Sequence, residues 1–210
     1  MSSNTRTSRE QAIYDSFVYP ESQVLRNKLN IFDQVLLDKA EAKLVVANGV
    51  TRPDFEKFTL PEMQAIHKHL LGDVYEWAGD IRTYTTGRSA SSFARPEHIE
   101  SYFEAAVLKP LHRENCLKGT SREQFAERSA HFASEINAVH PFIDGNGRLT
   151  RWVIKDLASQ AGHNFDMTQL DANKGAWYGA MKLGFERGDT SKLKHEILNA
   201  LASPERAQEK

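Results

Sequence analysis

The sequence predicts an all-α fold, a helical bundle carrying one exposed β-hairpin, and three observations predict it. Apolar residues recur at helical spacing through most of the chain, as with Val35, Leu36, Ala40 and Leu44 within residues 30–48. Helix-start signals stand where such runs begin: Thr59 with Glu62, and Ser121 with Gln124, both have capping-box spacing. One stretch breaks the pattern, IRTYTTGRSASSF, in which β-branched and aromatic residues surround Thr86-Gly87.

Taken in order, the first ten residues and the last eight (203–210) are polar and read as mobile ends, leaving a single domain over 11–202. A helix is expected over 30–48, stopped by Asn48-Gly49. The next opens at Thr59, with Pro61 in its first turn and Ile66, Leu70, Val74 and Trp77 along one face, and ends at Ala78-Gly79. The hairpin follows, roughly from Arg82 to Phe93. Pro96 opens a further helix and Ser121 another. One more runs from about Gly147 to Gly162, one starts at Thr168 with Asp171 and continues past Trp177 to Met181, and the last begins at Thr190 and ends near Leu201.

At 210 residues the chain can bury one good core. Hydrophobic residues make up 40% and charged residues 26%, the balance of an ordinary globular protein. The net charge of -1 supplies no global basic field, so direct nucleic-acid binding is not expected. A single cysteine, Cys116, excludes an intramolecular disulfide and fits a reducing cytoplasm. No apolar run is long enough to span a membrane, and the N-terminus has no hydrophobic signal core.

Chemistry concentrates in HPFIDGNGRLTR, residues 140–151. Gly145-Asn146-Gly147 places residues tolerant of left-handed backbone directly before a helix. Such a turn can aim successive N–H groups into one concavity at the positive end of a helix dipole, which suits phosphate. Arg148 and Arg151 lie three apart at the start of that helix and can grip further phosphate oxygens. A carboxylate beside a polyphosphate repels it unless a hard cation intervenes, so Asp144 reads as a Mg²⁺ ligand. His140 is the side chain here able to accept a proton near neutral pH. Phe142 and Ile143 are expected to point inward and staple the loop. Singly, each feature has a bland reading: a turn, a structural histidine, solvated arginines. Together they form one coherent set, and no GxxxxGK[ST], HExxH or GxSxG motif competes with it.

That run resembles the Fic family signature, His-x-Phe-x-Asp/Glu-Gly-Asn-Gly-Arg-x-x-Arg, at every specified position. FVYPESQVLRNKLNI, DVYEWAGDIR and SSFARPEHIE also look like Fic segments. The resemblance implies protein adenylylation: a hydroxyl of a target protein attacks the α-phosphate of ATP and pyrophosphate leaves. It implies that His140 is the general base and that Asp144 holds Mg²⁺ against the α- and β-phosphates. Gly145, Asn146 (backbone and side chain) and Gly147 would form an anion hole, with Arg148 near the β-phosphate and Arg151 at the γ-phosphate. The hairpin would be a flap that aligns the target by strand addition, through Thr85, Thr86, Gly87, Arg88 and Ser89. Arg88 and Arg95 are candidates for target or nucleotide contacts, and Lys174 and Tyr178 for the border of a nucleoside pocket. Trp77 and Trp177 are read as core.

The family's inhibitory helix has the form Ser/Thr-x-x-x-Glu-Gly/Asn, its glutamate pairing with the residue equivalent to Arg151. No such run occurs; Glu114-Asn115 has Pro110 where Ser or Thr is required. The chain thus resembles the toxin of a two-protein system whose small separate antitoxin donates that glutamate. By analogy the target is the ATPase-bearing subunit of a type II topoisomerase, DNA gyrase or topoisomerase IV. Two alternatives stand beside this: a secreted effector that adenylylates a eukaryotic protein such as a small GTPase, and a catalytically silent peptide- or nucleotide-binding module.

Overall fold

The computed structural model describes residues 6–88 and 91–201. Ser89, the tail 203–210 and residues 1–5 of the expected mobile N-terminus lie outside them. The fold is all-α with one small antiparallel hairpin, as the sequence predicts. It groups into two units, one running to Glu100 and including His140–Asn146, the other comprising Ser101–Val139 and the chain from Gly147 onward.

In the first unit, residues 8–10 are not part of a mobile end. They open α1 (Ser8–Ser16), where the Thr7 hydroxyl caps the Glu10 N–H and Glu10 reaches back to the Thr7 N–H. Helix α2 (Gln34–Thr51) is capped by Asp33 and runs through Asn48-Gly49, the expected stop. It ends before Pro53, because a residue preceding proline is driven out of the helical region. Helix α3 (Leu60–Leu71) has the expected Thr59–Glu62 capping box but closes at Gly72, earlier than expected. Val74 and Trp77 are still buried, in the turns beyond it. Phe55, Phe58, Met63, Ile66, Leu70 and Tyr75 complete this unit's core.

The hairpin pairs β1 (Gly87–Arg88) with β2 (Ser91–Ser92), Gly87 opposite Ser92 and Arg88 opposite Ser91. Of Thr86-Gly87, expected near its centre, Gly87 opens the first strand and Thr86 lies just before it.

After a 3₁₀ turn at Pro96–His98 the chain continues as α4 (Ile99–Tyr102), a π-helical stretch (Phe103–Leu108) and α5 (Lys109–Arg113). The widening precedes Pro110, which lacks an N–H and whose ring needs room in the preceding turn. In the second unit α6 (Arg122–Val139) is central, with the Ser121–Gln124 reciprocal cap in place. Helices α9 (Lys174–Arg187) and α10 (Ser191–Ala200) pack against it, α8 (Met167–Ala172) packs against those two, and α7 (Asn146–Gln160) precedes them in the chain. Asp166, not Thr168, caps α8, and a break at Asn173 separates it from α9. Phe125, Phe132, Leu149, Val153, Ile154, Leu157, Trp177 and Ile197 fill the core here.

Candidate active site

The loop 140–146 is fastened to the chain just before the hairpin. Ile81 pairs with Phe142 in an antiparallel bridge, and the Arg82 N–H donates to the Pro141 carbonyl at 2.9 Å. Phe142 is fully buried, whereas Ile143 is only partly so; the inward staple is Phe142 alone. The Asn146 amide is turned onto Phe142. Its Oδ1 accepts from the Phe142 N–H at 3.0 Å and its Nδ2 donates to the Phe142 carbonyl at 2.8 Å. The Asn146 side chain thereby clasps the loop that carries it, and 4% of the residue remains exposed.

His67, on the buried face of α3, supports the loop from below. Its Nδ1 accepts from the Gly79 N–H at 2.9 Å, so the ring proton resides on Nε2, which donates to the Asp144 carbonyl at 2.8 Å. The ring stacks on Phe142 with centroids 4.0 Å apart. Burial drives its pKa from 6.5 down to about 4, against the opposing pull of the Asp144 carbonyl, so the imidazole is neutral at physiological pH. Gly145 lies over the same ring at φ +81°; a Cβ there would stand 2.8 Å from His67 Nε2 and overlap Leu71 Cδ1. Both the backbone angle and the close approach require glycine.

His140 itself has φ 47°, in the left-handed region that residues other than glycine adopt uncommonly, histidine less rarely than most. Its ring lies parallel to Phe93, centroids 3.8 Å apart with an interplanar angle of 2°. Its carbonyl accepts from Arg82 Nε at 2.7 Å. The Asp144 carboxyl is pushed above the ordinary carboxylate range, chiefly by desolvation and in part by Asp38, with the Gly145 N–H opposing. A cation beside it would lower that cost. Asp144 keeps part of its surface open, and no group of three or more metal-ligating side chains gathers among the described residues. One hard oxygen donor fits Mg²⁺ carried in largely by phosphates and water, and it does not fit a metal caged by protein.

Gly147, Arg148 and Arg151 occupy the first turns of α7 in the second unit. Leu149, Val153 and Ile154 on that helix are buried. Arg148 is partly exposed, and Arg151 is 7% exposed. A Cβ on Gly147 would come within 3.5 Å of the Tyr178 ring, which places that half-exposed tyrosine beside the motif. Trp77 and Trp177 are core residues.

Of the hairpin residues, Thr86, Gly87 and Arg88 are partly exposed. Thr85, also partly exposed, is tied to the N-terminal helix region. Its N–H and hydroxyl both donate to Glu10 Oε1, at 2.7 and 2.5 Å, and its carbonyl accepts from Arg6 Nε at 3.1 Å. The Thr85 hydroxyl first, then the backbone N–H groups of Thr7 and Thr85, hold the Glu10 carboxyl down at about 2.

Residues 57–158 match the Fic/DOC family, a span that contains the loop, His67, the hairpin and the start of α7. A Sinorhizobium fredii protein, "Probable protein adenylyltransferase y4lH", is 34% identical over 189 residues, which is 90% of this chain and 97% of that protein. The chain belongs to the Fic/DOC family. A second Fic relative, "Protein adenylyltransferase VbhT" of Bartonella schoenbuchensis, is 38% identical over 160 residues; the match takes in 75% of this chain and 33% of VbhT, so the chain corresponds to about a third of that longer protein. The Fic fold recurs in the crystal structure of BepC, a VirB-translocated Bartonella effector from Bartonella tribocorum with bound AMPPNP, at TM-score 0.80 and 26% identity over 90% of this chain and 97% of that one.

Two residues that shape this Fic loop, His67 and Arg82, carry no motif of their own. The signal for His67 was a histidine on the apolar face of α3, among Met63, Ile66, Leu70 and Leu71. Arg82 stood in a Fic-like segment, and an arginine between Ile81 and the aromatic residues Tyr84 and Phe93 is a candidate for burial.

Proposed function

We propose that the chain is a protein adenylyltransferase, moving AMP from ATP onto a hydroxyl of a target protein, with residues 11–202 working as one catalytic domain. The observation that carries this reading is the His140 loop: an imidazole on a left-handed backbone, held in plane by Phe93, in the run HPFIDGNGRLTR. The adenylyltransferase names of relatives at 34% and 38% identity support it.

In this reading the His140 imidazole takes the proton from the incoming hydroxyl. The oxygen bonds to the α-phosphorus, the bond from that phosphorus to the α–β bridging oxygen breaks, and pyrophosphate departs. The backbone at Gly145-Asn146-Gly147, at the head of α7, faces the phosphates, and Arg148 and Arg151 offset charge on the leaving group. Asp144 would hold Mg²⁺, which supplies charge neutralisation of the triphosphate. The work of the chain is to place groups already aligned, which is where most of the acceleration in nucleotidyl transfer resides.

The finer reading is that the chain acts as the toxin of a pair. Residues 1–210 hold no Ser/Thr-x-x-x-Glu-Gly/Asn run, and in this reading a separate antitoxin supplies the glutamate that meets Arg151. The target class is then a type II topoisomerase ATPase subunit. A second reading, export as an effector acting on a eukaryotic protein, is favoured by the likeness to BepC. Among the described residues no helix is long and apolar enough to cross a membrane.

One experiment addresses these together. Wild-type protein and His140→Ala are incubated with α-labelled ATP and Mg²⁺ in bacterial and in eukaryotic lysate, and labelled proteins are identified. Wild type should label, and His140→Ala should lose transfer while still binding ATP. A labelled topoisomerase subunit supports the toxin, and a eukaryotic protein labelled alone supports the effector. Undiminished transfer by His140→Ala removes the imidazole from its role.

A further inference from the structure

Arg82 is 1% exposed, and its guanidinium donates to three carbonyls from separate parts of the chain. Nε donates to the carbonyl of His140 at 2.7 Å, one terminal nitrogen to the carbonyl of Tyr84 at 2.8 Å, and the other to the carbonyl of Ala94 at 2.5 Å. Tyr84 and Ala94 are the two roots of the hairpin, one before β1 and one after β2. Next to Ala94 stands Phe93, whose ring lies flat on the His140 imidazole and whose N–H donates to the Thr86 carbonyl within the hairpin. The backbone N–H of Arg82 meanwhile donates to Pro141, the neighbour of His140.

We propose that Arg82 is a positioning residue that makes the stance of the hairpin and the orientation of the His140 imidazole one coupled variable. The inference rests on the adenylyl-transfer reading for its functional meaning. A guanidinium is planar and its donors are fixed relative to one another, so three carbonyls held by it are fixed relative to one another too. Shifting either root of the hairpin must move the carbonyl of residue 140 or break a charge-assisted bond in a place with little access to water. Desolvation lowers the Arg82 pKa to about 10, which leaves the group charged at physiological pH. A protein segment seated on the hairpin would therefore tune the base through Arg82 and Phe93, and ATP alone would not.

Lysine separates this role from simple burial. An ammonium retains the charge but is a point donor that cannot span the three carbonyls in the same plane. With the protein substrate identified by α-labelled ATP, Arg82→Lys should leave the KM for ATP within about twofold and lower kcat about 10- to 100-fold, the scale of a misplaced reacting group. Amide hydrogen exchange over 86–88 should accelerate. Folded Arg82→Lys with wild-type kcat and wild-type exchange would overturn the proposal, as would a kcat loss matching the loss of folded protein. Should Arg82→Lys fail to fold, wild-type protein labelled with ¹⁵N-arginine gives the answer. The Arg82 Nε–H should be protected from solvent exchange, and target binding should change its rate together with those of the hairpin amides. Exchange at the rate of an exposed guanidinium, or no change while the hairpin amides respond, would refute the coupling. If wild type labels no protein in any lysate, the adenylyl-transfer reading fails, while the Nε–H measurement still decides the joint.

Discussion

Acid should loosen the loop that carries His140 through the titration of His67. The folded pKa of His67 is about 4, against an ordinary value of 6.5. Between those values the unfolded chain binds a proton that the folded chain refuses, so stability present at neutral pH is lost as pH falls through that window. The slope is about 1.4 kcal/mol per pH unit, and integration from about pH 7 to about pH 5 gives a loss of roughly 2 kcal/mol from this one side chain. The cause is local: protonation of Nδ1 would turn the acceptor of the Gly79 N–H into a donor, within a ring that has no exposed surface. Urea unfolding of wild type and of His67→Gln across that range isolates the effect, because the remaining titrating groups are common to both. The wild type should lose about 2 kcal/mol more than the variant between the two ends of the series. A stability difference between the two proteins that stays flat across the range would show that His67 is not buried as a neutral acceptor, and the account of how Asp144 and Gly79 are held would fall with it.

Gly145→Ala should destabilise by about 1–3 kcal/mol from the backbone angle alone, with the His67 and Leu71 overlap adding to it, and should abolish AMP transfer; thermal unfolding and α-label incorporation read the two effects. Asn146→Ala leaves the Phe142 N–H and carbonyl without their side-chain partner in a buried loop, at about 1–3 kcal/mol. Its transfer rate should fall further than its loss of folded protein explains, since the loop bearing His140 loses its clasp; a rate that tracks the folded fraction would refute that role.

What could be read from the sequence was what the sequence holds locally. Thr59–Glu62 and Ser121–Gln124 are caps made within four residues, and both are present. The run from His140 to Arg151 sets chemically legible groups side by side, which is why it could be assembled before any fold was known. The features that escaped are those made at distance. Helix α1 buries no residue of its own and is tied down by Glu10 and Arg6 to Thr85, more than seventy positions away. His67 reaches Asp144 across 77 residues, and Arg82 reaches His140 across 58. The clasp that Asn146 makes on Phe142 was not legible either, because an amide in a motif does not announce which backbone it will bond. The end of α2 illustrates competition between two stop signals, where Pro53 prevailed over Asn48-Gly49 because a helical glycine costs only about 1 kcal/mol.

The backbone at position 140 has an evolutionary consequence. Left-handed torsion there is one that glycine or asparagine would occupy at less expense, and neither could serve as the base that the proposed reaction assigns to His140. Selection for robustness and selection for turnover thus pull on that codon in opposite directions. The neighbouring Phe93 ring and Arg82 guanidinium hold the residue there through its imidazole and its carbonyl. Lineages released from the need for the reaction should drift at this site first, gaining thermal resilience as they lose chemistry.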